Sequence, residues 1–335
     1  MKRAIALALS FILLLGMVGC SSNSSAQSGA DSEKVYTIKA AHMAADTHPW
    51  HPAILEFEKL VEERTNGKVQ VEVYFGGTLG YDRDLIEGMQ AGTVDVAYVT
   101  TAPVASFVPE IGVLDLPYVF SDWDHLYKFL DSAPAKELNA LTEEKGLIGL
   151  GYMPNGFRQT TNSKTPINTL EDFKGLKMRV MQSDVFIDTF QALGASPVPM
   201  AWAEVPTSLQ QGTIHGQENG IITNYSNRVW EYQKYMSLTS HCAYMTTMLG
   251  SKMLLSKLPE EYQKIIIDTG KEVSLNAMKR IQEDEQKILK EITEKGLIVN
   301  ELDTTEFAKA TEPVRKKFSD QYGDKILNEI MALAK

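Results

Sequence analysis

Three short segments set polar and charged side chains beside turn residues and apolar runs. They are Asn155-Gly156-Phe157-Arg158-Gln159-Thr160-Thr161-Asn162, Lys174-Gly175-Leu176-Lys177-Met178-Arg179-Val180, and Gly216-Gln217-Glu218-Asn219. In the second, Arg179 alternates with Met178 and Val180 in the period of a strand. An arginine inside a strand of a compact domain needs a partner or an open cleft, because a lone buried guanidinium is costly to desolvate. Its planar fork can hold a carboxylate through two parallel hydrogen bonds. Spacing alone leaves two uses open for Arg179: a structural ion pair with one of the 43 acidic residues, or an anchor for a small organic acid.

Catalytic patterns are absent from the sequence. There is no Gly-x-Ser-x-Gly elbow, His-Glu-x-x-His pair or Walker loop, and Gly149-Leu150-Gly151 lacks the third glycine of a dinucleotide loop. His48 and His51 stand three apart with no acidic or cysteine partner close in sequence, and read as surface or capping residues. No Cys/His zinc pattern occurs, so no cofactor or metal is expected.

The elements that must carry these residues alternate. Residues 35–41 predict a strand. A helix follows Pro49 and Pro52, with Ile54, Phe57, Leu60 and Val61 on one face and a stop at Asn66-Gly67. Val69, Val71, Val73 and Phe75 alternate as a strand, residues 82–91 read as a helix closed by Gly92, and residues 94–99 as a strand. This βαβαβ order predicts an α/β layer with a mostly parallel sheet. Residues 113–120, interrupted by Pro117, are a further strand candidate. Helices are expected at 124–130 and 135–145 and a strand at 147–153. After Pro154-Asn155-Gly156 the alternation restarts: strand 176–181, helix 185–193, strand 196–199, helix 204–211. The restart marks a second domain. Residues 260–295 hold one glycine, Gly270, and no proline, which predicts one long helix crossing both domains, with Gly270 as the candidate kink; two shorter helices end the chain.

The first residues carry a different message. Lys2 and Arg3 precede a short apolar run that ends in Met17-Val18-Gly19-Cys20, the pattern of a secretion signal. Cys20 after Gly19 resembles a bacterial lipobox, which implies cleavage before Cys20 and a lipid on its thiol. Residues 21–32 are nearly all small or uncharged polar residues, a flexible tether. The organisation read is therefore a signal peptide at 1–19 and a lipidated tether at 20–33. Domain 1 is expected at 34–155 plus 245–284, and domain 2 at 156–244 plus 285–335. The chain of 335 residues has a formal net charge of −10, more negative by two without Lys2 and Arg3. That acidity argues against nucleic acid as a partner.

In order and spacing the sequence resembles the solute-binding subunits of tripartite ATP-independent periplasmic transporters, the DctP-type family. The marks are Leu79-Gly80-Tyr81-Asp82-Arg83, Leu114-Asp115-Leu116-Pro117-Tyr118-Val119-Phe120, Asn155-Gly156-Phe157-Arg158, and Asp172-Phe173-Lys174-Gly175-Leu176-Lys177-Met178-Arg179. Further on come Gly194-Ala195-Ser196-Pro197-Val198-Pro199-Met200-Ala201-Trp202, Gly216-Gln217-Glu218-Asn219 and Val229-Trp230-Glu231-Tyr232. The resemblance implies two α/β domains with a ligand cleft between them. It also implies an organic-acid ligand held by Arg179 and assisted by Arg158, with Asn219 on the same carboxylate region and Trp202 lining the cleft. Asp82 and Thr100 fall where the first domain meets the rest of the ligand. The implied partner is a membrane permease pair driven by an ion gradient. A binding module feeding a sensor, and an exported enzyme, are the other classes this reading leaves open. Three residues depart from the family pattern near the pocket: Pro206, His215 and Gly220.

Overall fold

The computed structural model describes residues 34–334. The expected signal peptide, Cys20 and the tether lie outside the described residues. Among the described residues there are eleven strands: β1 (Tyr36–His42), β2 (Val69–Tyr74), β3 (Val96–Thr100), β4 (Leu147–Tyr152), β5 (Arg158–Asn162), β6 (Lys177–Val180), β7 (Ser196–Pro199), β8 (Gly216–Gly220), β9 (Tyr235–Ser237), β10 (Thr246–Ser251) and β11 (Ile298–Asn300). They form two sheets, ordered β2-β1-β3-β10-β4 and β11-β9-β5-β8-β6-β7.

The first sheet is covered on both faces, which explains the apolar run of β3. Val96 and Tyr98 enter one core, with Ile38, Ala40 and the helix Trp50–Arg64. Ala97 and Val99 enter the other, with Leu85, Ile86 and Met89 of the helix Asp82–Ala91. Successive strand residues point to opposite faces, so a strand buried on both sides is apolar throughout. The helix Trp50–Arg64 buries Trp50, Ala53, Ile54, Phe57 and Val61, a single helical stripe. It stops where expected, with Asn66 at φ 50° and Gly67 at φ 74°.

Three expectations are corrected. Residues 113–120 form no strand: a 3₁₀ helix, Pro109–Asp115, runs into an irregular segment. Its apolar side chains Val113, Leu114, Leu116, Val119 and Phe120 are buried, which produced the strand-like signal. Pro117 has no N–H for a ladder, and Tyr118 sits at φ 55° with its amide on the His241 carbonyl at 2.9 Å. The first sheet is mixed, because β10 returns from late in the chain and pairs antiparallel with both β3 and β4. Three helices follow β11, Thr305–Ala310, Glu312–Tyr322 and Lys325–Ala332, where two were expected.

The long helix is continuous over Glu260–Glu294, about 52 Å at 1.5 Å per residue. It packs on the helix Trp50–Arg64 and on β4, and further along on the helix Ile221–Ser226 that follows β8. Gly270 serves close approach: a Cβ there would lie 2.7 Å from Cβ of Leu150 in β4. Among the described residues, no helix is long and apolar enough to cross a membrane.

Candidate functional site

In the second sheet β8 lies between β5, its antiparallel neighbour, and β6, its parallel neighbour. The register sets Gln159 opposite Asn219 and Thr160 opposite Glu218. The three polar segments of the sequence thus meet on adjacent strands. Beside them is a cavity of about 240 Å³. Its wall takes Arg158, Arg179, Trp202 and Asn219 from the second-sheet side, and Asp82 and Thr100 from the C-terminal end of the first sheet. All six residues singled out in the sequence line this one cavity.

Arg179 is buried. Its Nε and Nη2 donate to the Met200 carbonyl at 3.0 and 2.7 Å, and its guanidinium lies 5.6 Å from the Trp202 ring centre. No carboxylate among the described residues comes within 4.0 Å of it. Burial pulls its pKa down to about 10, with Glu218 acting against that fall and Arg158 adding to it, so it stays cationic at neutral pH. The structural ion pair that spacing left open for Arg179 is not formed.

Arg158 is paired instead. Its Nε and Nη2 both reach the Glu218 carboxylate, the latter at 3.0 Å, and Nη2 also donates to the Glu218 carbonyl at 2.9 Å. The Tyr244 ring lies 4.5 Å from its guanidinium carbon. Burial alone would raise the pKa of Glu218, but Arg158 and the His241 hydrogen bond outweigh it and hold the carboxyl below the ordinary range. His241 contacts Glu218 Oε2 through Nε2 at 3.2 Å and Thr239 Oγ1 through Nδ1 at 2.9 Å. Burial holds its pKa down, which fits a neutral ring donating from Nε2.

Two acceptors in the wall are unmet. Asp82 takes the Thr100 hydroxyl on Oδ2, while Oδ1 is buried without a hydrogen-bond partner. Burial raises its pKa to about 6, against the pull of Thr100, Arg179 and Arg158. Asn219 donates through Nδ2 to Gln217 Oε1 at 3.4 Å, and its buried Oδ1 has no partner. The other cation of the wall, Arg83, pairs with Glu87 at 3.0 Å.

His48 is a capping residue, as its sequence position suggests, but not a surface one. Its Nδ1 accepts from the Trp50 amide at 3.3 Å at the helix start, but the ring is buried in the cavity wall. Nε2 therefore carries the proton and donates to Thr223 Oγ1 at 3.1 Å, joining the two sides of the cavity. Burial and His42 push its pKa down to about 3. Thr223 and Tyr244 also line the wall and were missed. Their residue types carry no signal, and only the fold brings them here. Among the departures, His215 does not line the cavity and accepts from the Lys177 amide at 3.1 Å. Pro206 sits in the first turn of the helix Val205–Gln210. Gly220 makes room for Tyr244: a Cβ there would lie 2.7 Å from that ring.

A family model described as bacterial extracellular solute-binding protein, family 7, matches residues 40–321. The chain belongs to that family. As a family 7 protein it is 33% identical to the 2,3-diketo-L-gulonate-binding periplasmic protein YiaO of Escherichia coli, over 87% of this chain and 85% of that one. It is 32% identical to the C4-dicarboxylate-binding periplasmic protein DctP of Rhodobacter capsulatus, over 96% and 97%. Its fold matches a tripartite ATP-independent transporter solute-binding protein from Polaromonas sp. JS666, solved bound to D-erythronate. There the TM-score is 0.86 at 32% identity, covering 89% of this chain and 98% of that one. The transporter-family resemblance and the long helix over the two-sheet α/β fold are thereby established.

Proposed function

We propose that this family 7 protein captures a hydroxylated monocarboxylate, a sugar acid, outside the cytoplasm and hands it to an ion-gradient-driven permease pair. The observation that carries this is the make-up of the cavity wall: one cation without a carboxylate partner, Arg179, and two buried acceptors without donors, Asp82 Oδ1 and Asn219 Oδ1. A ligand carboxylate satisfies the first, and ligand hydroxyls satisfy the other two. A buried acceptor left unmet costs about 1–3 kcal/mol, so the site discriminates for groups that donate. An unsubstituted C4-dicarboxylate such as succinate would bring no donors and a second charge, with Arg158 and Arg83 already paired. Arg158 then supports the site through Glu218 instead of gripping the ligand alone. Trp202 offers a face for an apolar or ring-shaped portion.

The cleft closes by a hinge between two domains, 34–155 plus 245–284 and 156–244 plus 285–335. The His48–Thr223 bond is one contact that favours the closed form. Cys20 carries the lipid that tethers the protein near its permease, which raises the local concentration. The ligand is returned intact, with no cofactor and no turnover.

The test is a thermal-shift screen with D-erythronate, a uronate, a 2-oxo acid and succinate, for the wild type and Arg179→Ala. A ligand that binds only the folded state raises the melting temperature. Hydroxylated monoacids are expected to shift the wild type and not the variant. A shift confined to succinate would overturn the hydroxy-acid reading. A wild type that ignores every acid and releases none on unfolding, by mass spectrometry, would overturn the carboxylate reading as a whole.

A further inference from the structure

Behind the wall stands a second buried carboxyl, Asp115, the last residue of the 3₁₀ helix Pro109–Asp115. Consecutive threonines at the end of β3 serve the two acids. Thr100 donates to Asp82 Oδ2 and Thr101 donates to Asp115 Oδ1, the latter at 2.7 Å. The remaining oxygen of each, Asp82 Oδ1 and Asp115 Oδ2, is buried without a partner. A buried ionised carboxylate needs several donors or a cation of its own; Asp82 draws on Thr100 alone, through its hydroxyl and its backbone, and Asp115 on the Thr101 hydroxyl.

The charges around them make the shortage acute. Asp82 faces Arg179 and Arg158, and Asp115 faces Arg158, Glu218 and the Cys242 thiol. Arg158 is taken by Glu218, and the His241 ring on the far side of Glu218 is neutral. His48 and Tyr244 share the wall as neutral groups. With both aspartates ionised, two buried arginines stand against three buried carboxylates. With both protonated, two arginines stand against Glu218 alone, which leaves one positive charge for one incoming carboxylate.

We propose that the protein captures its acid anion together with protons, held on Asp82 and Asp115. This rests on the carboxylate reading of Arg179. An anion on Arg179 cancels the cation that steadies an ionised Asp82, so protonation becomes more favourable on binding. A proton on the Thr100 side of Asp82 leaves Oδ1 an acceptor for a ligand hydroxyl, so the two roles are compatible. Burial already brings Asp82 to about 6 and Asp115 to about 7. Binding raises both further, so affinity is highest below this range. It falls as pH rises through it, by up to about tenfold per pH unit for each proton taken up. A sugar-acid carboxyl titrates near ~3.5 and stays ionised throughout, so the ligand cannot supply this slope.

Isothermal calorimetry reads the proton count directly. D-erythronate, or whichever panel acid binds, is titrated into the purified protein at pH 7 in three buffers of different ionisation enthalpy. The slope of observed enthalpy against buffer enthalpy is the number of protons taken up. We expect a clear uptake, of order one proton per ligand, and affinity at least tenfold weaker at pH 8 than at pH 6. Asp115→Asn keeps an acceptor for Thr101 and is expected to take up measurably fewer protons. Binding with zero slope and flat affinity from pH 6 to 8 would overturn this proposal while leaving the carboxylate site intact. Uptake unchanged in both Asp115→Asn and Asp82→Asn would place the protons elsewhere and overturn it too. If no acid binds at all, the carboxylate reading itself has failed, and this inference with it.

Discussion

Replacing Arg179 by alanine tests the site most directly, and the structure sets the expected size. A guanidinium has five N–H donors. Met200 uses the Nε donor and one on Nη2, which leaves three on Nη1 and Nη2, enough for a two-pronged grip on a carboxylate. Hydrogen bonds to charged groups contribute about 1.5–3 kcal/mol each. Removing one partner of a desolvated charged pair costs about 2–5 kcal/mol in binding. Affinity for the preferred acid should therefore fall by about 30-fold to several thousand-fold, since each 1.4 kcal/mol is a factor of ten. Arg179→Lys keeps a charge but loses the fork and one bond to Met200, so it should recover only part of the loss. The assay is calorimetric or fluorescence titration at pH 6, with urea unfolding to confirm that each variant still folds cooperatively. A folded Arg179→Ala protein that binds within about fivefold of wild type would refute the single-anchor argument. Full recovery by Arg179→Lys would refute the part of it that depends on the fork.

The other expectations use different readouts. Trp202→Ala should weaken binding less than Arg179→Ala and broaden the range of acids accepted; unchanged affinity and selectivity across the panel would remove Trp202 from the ligand's surroundings. Glu218→Gln strands the buried Arg158 without its countercharge and should destabilise the fold by about 3–5 kcal/mol in urea unfolding; a loss under about 1 kcal/mol would mean that Arg158 does not depend on Glu218. At an exposed helical position glycine to alanine stabilises by about 1 kcal/mol. Gly270→Ala should do the reverse, by about 1–3 kcal/mol, because the new Cβ meets Leu150. A stabilised Gly270→Ala protein would show that β4 yields easily at this contact.

What was legible in the sequence follows from which physical signal each element carries. Helix Asp82–Ala91, β2 and the long helix announce themselves through periodicity and end signals, which give their bounds to within a residue or two. β5 and β8 were not read as strands, because every residue in both is buried yet most are polar. Gln159, Thr160, Thr161 and Asn162 face Gly216, Gln217, Glu218 and Asn219 across a ladder, and their polarity is absorbed by mutual bonds such as Gln217 Nε2 to Thr161 Oγ1 at 2.7 Å. No hydropathy pattern reports such a layer. The same segments stand out for a different reason, as charged residues beside turns, so residues of the cavity wall are visible in the sequence where the secondary structure is not. The partners of the two arginines were out of reach, because the ion pair of Arg158 with Glu218 spans 60 residues. His48 and Thr223 meet across 175 residues, and only the folded chain brings them into contact.

The contrast between the two arginines bears on how the site gains selectivity. Both are buried, and desolvating a guanidinium is costly wherever it occurs. For Arg158 the cost is offset within the fold by Glu218, so little of its charge is left to attract a ligand. For Arg179 the fold supplies only a carbonyl dipole and an aromatic face. Its orientation is fixed before the ligand arrives, so little entropy is lost on binding. On the proposed reading its charge is balanced by the nearby acids when they are ionised and by the ligand anion when they are protonated. Placing Asp82 and Asp115 nearby, each short of donors, makes that balance depend on proton count as well as on the ligand. A fully compensated cavity would bind acids weakly, and two uncompensated arginines would favour dianions. On the proposed reading, one unpaired cation beside two titratable acids is the arrangement that selects a single carboxylate.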